Sequence, residues 1–149
     1  MRVLFAIGGI CLGVASPGIA LAEPPSYYIG AGVRAGFNDD VAAVLDSKVK
    51  LTSLGEVLSV SLRPELLLGD DVELRLPISL DAEVETGLYP FAGAGVAYNP
   101  DGSRDVAPML TAGLDLGFNS ALVLSTELNV IFNSGNTDAE FIGSLNYAF

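Results

Sequence analysis

Residues 72–81 read VELRLPISLD, in which every second residue is aliphatic and most of the others are charged or polar. Because successive side chains of a β-strand point to opposite sides, this stretch predicts a strand with one apolar and one ionic face. The same alternation recurs along the chain, and no segment after the N-terminus has a helical period. The predicted strands cover residues 27–38, 44–54, 57–68, 72–81, 88–98, 107–118, 122–132 and 139–149. The sequence therefore predicts an all-β protein.

The charged side chains of these segments share one face. The cations on it are Arg34, Lys48, Lys50, Arg63 and Arg75, and the acids are Asp46, Glu65, Glu73, Asp81, Asp115, Glu127 and Glu140. The rest of that face is rich in Gly and Ser, whereas a face in water usually carries more Lys and Glu. A near-balanced set of charges suits a narrow interior of low dielectric constant, where an unpaired charge is costly. We therefore predict that the charged face lines an interior and the apolar face meets lipid; a soluble barrel would have the opposite orientation.

Aromatic residues on the apolar face fall near the strand ends. With alternating strand directions, one rim would carry Phe37, Tyr98, Phe132 and Phe141, and the other Tyr27, Phe118, Tyr147 and Phe149. Two aromatic girdles beside an aliphatic band are typical of the two membrane interfaces. Strands of about ten residues also match the 9–11 that a tilted strand needs to cross a bilayer. The fold class predicted is an eight-stranded antiparallel up-and-down transmembrane β-barrel after a cleaved signal peptide.

Residues 1–22 have the features of a secretory signal. Arg2 supplies the positive charge, residues 3–14 are apolar, and small residues at positions 20 and 22 precede Glu23. A short transmembrane anchor is the alternative interpretation. The single cysteine, Cys11, lies in this segment, so the mature chain has no thiol for a disulfide or a metal site. The predicted organisation is a signal peptide over 1–22 and a barrel over 23–149.

The last nine residues, 141–149, read FIGSLNYAF and end in an aromatic residue preceded by apolar residues at alternate positions. This stretch resembles the C-terminal assembly signal of bacterial outer-membrane proteins, on the residues Phe141, Leu145, Tyr147 and Phe149. Residues 88–98, LYPFAGAGVAY, resemble the Gly-rich central strand of small barrels of the OmpA, OmpX and opacity-protein type. The resemblance implies a place in the cell outer membrane of a Gram-negative envelope. It also implies contact with outer-membrane lipid and lipopolysaccharide, and recognition by the barrel-assembly machinery during biogenesis.

Composition excludes several functions. The chain has no His, so neither a Ser–His pair nor a His-dependent barrel protease is available. A carboxylate dyad among Glu65, Glu73 and Glu127 is conceivable, but a structural ion network is favoured. A net charge of -11 disfavours nucleic acid as a partner. Acidic residues in the predicted outer loops could share Ca²⁺ or Mg²⁺ with lipopolysaccharide, although solvated loop tips are the simpler interpretation. We predict no catalytic residue, metal site or cofactor.

The interior is predicted to hold a network of ion pairs. A three-residue loop at 69–71 would place Glu65 directly across from Arg75 as a cross-strand ion pair. An eight-stranded barrel is just wide enough for side chains, so we predict a filled lumen, a monomer, and a structural or surface-interaction role. The alternative is a narrow porin or ion channel gated through the same charges. Pro64 and Pro77 fall inside predicted strands and predict a bulge or a break at each. The predicted network is Arg34, Lys48, Lys50, Arg63, Glu65, Glu73, Arg75, Asp115, Glu127 and Glu140.

Overall fold

A computed structural model describes residues 25–36, 41–100, 106–119 and 121–149. The predicted signal peptide and Phe37 lie outside these ranges. Among the described residues no helix is long and apolar enough to span a membrane. The strands within them are β1 (Tyr27–Gly36), β2 (Ala42–Leu54), β3 (Leu58–Leu62), β4 (Glu65–Leu68), β5 (Val72–Ala82), β6 (Leu88–Tyr98), β7 (Val106–Gly117), β8 (Leu122–Asn133) and β9 (Asn136–Ala148).

These strands form a closed ring in which every pairing is antiparallel. β1 pairs with β2 on one side and with β9 on the other, where Tyr28 lies opposite Ala148. β3 and β4 follow one another along the same course between β2 and β5, so they occupy one position in the wall. The ring therefore has eight positions, and the predicted eight-stranded up-and-down barrel is confirmed.

The wall strand that contains Pro64 is interrupted between β3 and β4. Leu62 and Glu65, on either side of the gap, pair with Val49 and Asp46 of β2. The two residue numbers of each pair add up to the same value on both sides of the gap, so neither strand carries an inserted residue. The gap is therefore a break in the ladder rather than a bulge. The prediction of a break at Pro64 is confirmed, and its lack of a donor is the physical reason.

Pro77 does not interrupt β5, and the bulge or break predicted there is wrong. Its carbonyl accepts a hydrogen bond from the N–H of Arg63 at 2.9 Å. In an antiparallel strand the N and C=O of one residue point to the same neighbour, so the missing N–H of Pro77 faces the gap beside Pro64. The hydroxyl of Ser47 donates to the Pro64 carbonyl at 2.8 Å from the other side. The two prolines thus share one defect in the ladder.

A bulge does occur in β2. Lys50 pairs with Ser61 but Thr52 pairs with Val60, so the register shifts by one residue between them. Beyond the shift, Ser53 pairs with Ser59 and continues the inward row. The bulge lies close to the turn that joins β2 to β3, a common position for such irregularities in barrels.

The hairpin between β8 and β9 is tighter than the sequence predicts. Asn133 pairs with Asn136, so a two-residue turn replaces the expected polar loop over 133–138. Gly135 adopts a φ of 87°, which glycine reaches without the cost that a Cβ imposes. Asp138 accepts hydrogen bonds from the amides of Asn133 and Asn136 at 2.7 and 3.0 Å. These bonds join polar side chains at the end of the hairpin, where the two strands are still paired.

The charged face of the wall points inward. Lys48, Arg63 and Arg75 are at most 1% exposed, whereas Ile29 and Leu110 are 57% and 51% exposed. The aliphatic rows therefore cover the outside of the barrel, as the alternation predicts. This orientation contradicts the soluble-barrel alternative, in which the apolar side chains would form a core.

Candidate functional site in the lumen

The inward charges form three layers along the barrel axis. We call the end that carries Tyr27 and Phe149 the termini end, and the end with the 69–71 loop the loop end. The Arg63 cluster, nearer the termini end, contains Lys48, Arg63, Asp81 and Asp115. The Arg75 cluster, nearer the loop end, contains Arg34, Glu73, Arg75 and Glu140. The mid-lumen layer between them contains Asp46, Glu65 and Glu127.

The guanidinium of Arg63 joins opposite walls of the barrel. Its Nη2 lies 2.7 Å from Asp81 Oδ1 and 2.9 Å from Asp115 Oδ2. Its Nη1 donates to the Tyr28 hydroxyl at 2.7 Å, and its Nε donates to Ser79 Oγ at 2.8 Å. These partners come from β1, β5 and β7, so a single side chain crosslinks distant strands through charge-assisted hydrogen bonds.

A second cation and an aromatic ring complete the Arg63 cluster. Lys48 Nζ lies 3.5 Å from Asp81 and 3.6 Å from Asp115. The ring of Phe91 has its centroid 3.5 Å from Arg63 Cζ, a close cation–π contact. Two cations therefore face two carboxylates, and the cluster is formally neutral.

The Arg75 cluster is also formally neutral. Arg75 Nε lies 2.5 Å from Glu73 Oε1, and its Nη2 lies 2.5 Å from Glu140 Oε2. Arg34 Nη1 approaches Glu140 Oε1 at 3.4 Å. Glu65 lies opposite Arg75 in the register, as expected, but no salt bridge joins the two in the described part of the chain. The predicted Glu65–Arg75 ion pair is wrong, because the guanidinium turns to β9 instead.

Within the mid-lumen layer, Asp46 is held by neutral donors. Ser144 Oγ donates to Asp46 Oδ2 at 2.5 Å, and Asn146 Nδ2 donates to the same oxygen at 3.1 Å. Both donors lie on β9. Strand β1 separates β9 from β2, the strand that carries Asp46. Asp46 is 3% exposed, so these bonds replace most of the solvation that its carboxyl loses.

Glu65 and Glu127 bring two carboxyl groups together in the same layer. The Glu65 carboxyl lies close to that of Glu127. Asn129 Nδ2 donates to Glu127 Oε1 at 2.6 Å, whereas no donor reaches either Glu65 oxygen. Within the described residues no cation forms a salt bridge to either glutamate. Among these residues, Glu65 therefore has neither a hydrogen-bond donor nor a salt-bridge partner.

Lys50 lies apart from the three layers. It lines a cavity of about 430 Å³ at the termini end, together with Ser59, Asp81 and Tyr89. No ion pair involves Lys50 among the residues that the structure describes. A smaller cavity of about 70 Å³ lies at the loop end beside Glu73 and other residues.

Several lumen residues are missing from the network predicted from sequence. Tyr28, Ser79 and Asn129 are neutral, and a search for charge pairs passes over them. Asp81 belongs to the charged face by its alternation, but its partner Arg63 becomes visible only when opposite walls are brought together. The available signal was the alternation itself, which places Tyr28 and Phe91 on the inward face.

At the termini end, aromatic residues form a cluster on the outer surface. Tyr27, Tyr147 and Phe149 are 45%, 58% and 74% exposed. The rings of Tyr27 and Phe149 stack with centroids 6.3 Å apart. Phe118 lies at the same end, where its N–H donates to the carbonyl of Leu122 at 2.9 Å.

At the loop end, two of the predicted rim aromatics lie at strand ends. Phe132 is exposed one residue before the end of β8, and Tyr98 is the last residue of β6. Phe141 lies farther inside its strand, where it pairs with Ala35 and Leu128, because β9 begins at Asn136.

Neither a protein-family model nor a curated protein sequence matches this chain. Solved structures share its fold at low sequence identity. A designed transmembrane β-barrel is 18% identical with a TM-score of 0.65, over 87% of this chain and 99% of the design. The N-terminal β-barrel domain of Pseudomonas aeruginosa OprF is 15% identical with a TM-score of 0.56, over 83% and 96%. The Yersinia pestis attachment invasion locus protein Ail is 11% identical with a TM-score of 0.54, over 83% and 97%.

Proposed function

We propose that this chain, which has the fold of the small eight-stranded outer-membrane β-barrels, resides in the outer membrane of a Gram-negative cell and has a structural or surface-interaction role there. In this proposal the lumen is closed by its own side chains and conducts no steady current. The observation that carries it is the Arg63 guanidinium, which binds Asp81, Asp115 and Tyr28 across the interior. An eight-stranded barrel leaves little room beside such a crosslink.

The outer surface supports the membrane location. Aliphatic side chains cover the wall, and aromatic residues such as Tyr27 and Phe149 lie at the termini end, where membrane interfaces favour them. We propose contact with lipid and lipopolysaccharide along this surface. Among the described residues the closed ring leaves no unpaired strand edge for a second copy, which supports a monomer. The outward row of Leu145, Tyr147 and Phe149 would be available to the barrel-assembly machinery before the ring closes.

We propose no enzymatic activity. The sequence has no His, and nucleophilic catalysis by Ser or Thr needs an adjacent base. The carboxyl groups of the lumen are buried behind the two ion clusters, where a substrate would first have to displace Arg63 or Arg75.

Planar-bilayer recording tests the closed lumen. Residues 23–149 would be refolded in detergent, checked by the mobility difference between unheated and boiled samples, and added to a bilayer. We expect no steady single-channel current. A steady, ion-selective conductance that disappears in Arg75→Gln or Glu73→Gln would overturn the proposal. Fractionation of expressing cells tests location, and recovery with the inner membrane would contradict it.

A narrow channel is the second candidate, favoured by one observation. Cavities of about 430 and 70 Å³ lie at the two ends of the lumen, and they reach Asp81 of the Arg63 cluster and Glu140 of the Arg75 cluster. Rearrangement of Arg63 or Arg75 among their carboxylate partners would be needed to open it. Brief openings whose frequency rises in Arg63→Gln would support this candidate over a permanently closed barrel.

A further inference from the structure

The lumen charges balance in two layers and not in the third. The Arg63 cluster and the Arg75 cluster each contain two cations and two carboxylates. The mid-lumen layer contains the carboxyls of Asp46, Glu65 and Glu127, without a cation in salt-bridge range among the described residues. These three groups are at most 4% exposed. Buried carboxylates without a counter-charge are strongly unfavourable, so the layer needs either protons or a positive partner from outside the chain.

Unpartnered oxygens in this layer point to the kind of partner. Both oxygens of Glu65, Oδ1 of Asn129, Oδ1 of Asn146 and Oγ1 of Thr111 are buried without a hydrogen bond; in the two ion clusters, Lys48 Nζ and Arg75 Nη1 also lack one. The Asn129 amide group donates to Glu127, and Thr111 lies opposite Asn129 in the strand register. Most buried polar atoms in proteins are satisfied, so these acceptors without hydrogen-bond partners require an explanation.

We propose that the mid-lumen layer is a binding site for a hard divalent cation such as Ca²⁺, held between Glu65 and Glu127 with neutral oxygens of Asn129 and Thr111 completing its shell. Two carboxylates balance the charge of one divalent ion. Carboxylate, amide and hydroxyl oxygens are the ligands that Ca²⁺ prefers, whereas transition metals favour the imidazole and thiolate groups that this site lacks. This proposal goes beyond the envelope role and does not depend on it.

The number of acceptors favours a metal ion over a shared proton. A proton between Glu65 and Glu127 would join one oxygen of each, and it would leave the second Glu65 oxygen and the Asn129 oxygen without a partner. A cation gathers several oxygens at once. Within the described residues no three His, Cys, Asp or Glu side chains are arranged to hold a metal, and the proposed site uses two carboxylates, with Asp46 bound by Ser144.

The first experiment measures calcium on the parent protein. Refolded residues 23–149 would be treated with EDTA, desalted, loaded with CaCl₂ and desalted again. We expect about one bound Ca²⁺ per chain by elemental analysis, and a urea midpoint that rises with the logarithm of the free Ca²⁺ concentration. No retained calcium together with an unchanged midpoint would overturn the proposal and leave a proton or water in the layer.

Paired variants place the ion. Glu65→Gln with Glu127→Gln should abolish calcium retention and the midpoint shift. In EDTA this variant should be at least as stable as the parent, because two facing charges are gone. Asp70→Asn with Asp71→Asn removes the same charge from a loop and should retain both responses. Loss of calcium in the loop variant with retention in the lumen variant would overturn the site. If the double lumen variant does not refold, Glu127→Gln alone gives the same comparison.

Discussion

Glu65 and Arg75 lie directly opposite each other on β4 and β5, yet the Arg75 guanidinium binds Glu140 Oε2 at 2.5 Å on β9. Inward side chains converge on the axis of a narrow barrel, so a long side chain reaches several strands from its own position. In the lumen, the choice of ionic partner therefore depends on height along the axis as much as on strand pairing.

A double-mutant cycle should reproduce this choice. We expect Arg75→Met and Glu140→Gln to be coupled by about 1–3 kcal/mol in unfolding free energy, since contacting charges in one network are not additive. The cycle of Arg75→Met with Glu65→Gln should show less than half that coupling. Urea unfolding in lipid vesicles, followed by far-UV circular dichroism because the chain has no Trp, provides the measurement. Equal coupling in both cycles would contradict the geometry.

Arg63→Met should destabilise the barrel severely. The change leaves Asp81 and Asp115 with Lys48 as the remaining cation of the cluster, and breaking a buried ion pair costs about 3–5 kcal/mol. Lys50→Met is the matched control, since Lys50 forms no ion pair in the described part of the chain, and its effect should stay within about 0.5 kcal/mol. Comparable losses in the two variants would show that the cluster has no special role.

Gly113→Ala should disturb the wall where it approaches Phe91. A Cβ on Gly113 would collide with the Thr126 carbonyl and the Phe91 ring, and overpacking of this kind costs about 1–3 kcal/mol. Gly143→Ala is the control, because its nearest contact, Phe141 at 3.8 Å, is ordinary van der Waals contact. Unfolding midpoints of the two variants decide the matter, and an unaffected Gly113→Ala protein would show that the strands can separate there.

The lipid-facing surface predicts a depth-dependent penalty for charge. Ile78→Arg, near the middle of β5, should lower the free energy of unfolding in a bilayer by about 2–4 kcal/mol. Val106→Arg, at the first residue of β7, should lower it by about 0–1 kcal/mol. Unfolding in vesicles gives both values. In a water-soluble barrel neither exposed position would be sensitive, so equal and small effects would contradict the membrane assignment.

Deletion of Phe149 should reduce assembly more than stability. Its ring stacks on Tyr27 and its N–H donates to the Tyr27 carbonyl at 3.2 Å, which is a modest part of the fold. We expect several-fold less folded protein in the outer membrane, with near-normal refolding in detergent. Leu51→Ser, another exposed apolar position, should leave the folded yield unchanged. Equal yields would argue against an assembly signal.

The strands and their inward faces could be predicted from the sequence because alternation is a local property. The alternation in residues 72–81 indicates the inward and outward faces of that strand without reference to any other strand. The break at Pro64 was equally local, since proline lacks a donor wherever it lies. Pro77 escaped the same reasoning because its effect depends on which neighbour its missing N–H faces.

The partners inside the lumen could not be predicted in this way. Arg63 and Asp115 are 52 positions apart, and only the closed ring brings them together. The hairpin after Asn133 was mistaken for a loop because its strand residues are polar, and alternation of apolar residues cannot mark a strand beyond the apolar band.

The pairing of β1 with β9 means that the seam of the barrel joins the earliest part of the wall to be synthesised to the latest. Until the seam forms, both margins present bare amides and carbonyls that lipid cannot satisfy. A chain that lacks β9 would thus be an open sheet rather than a slimmer cylinder. Closure of the wall therefore requires its final strand.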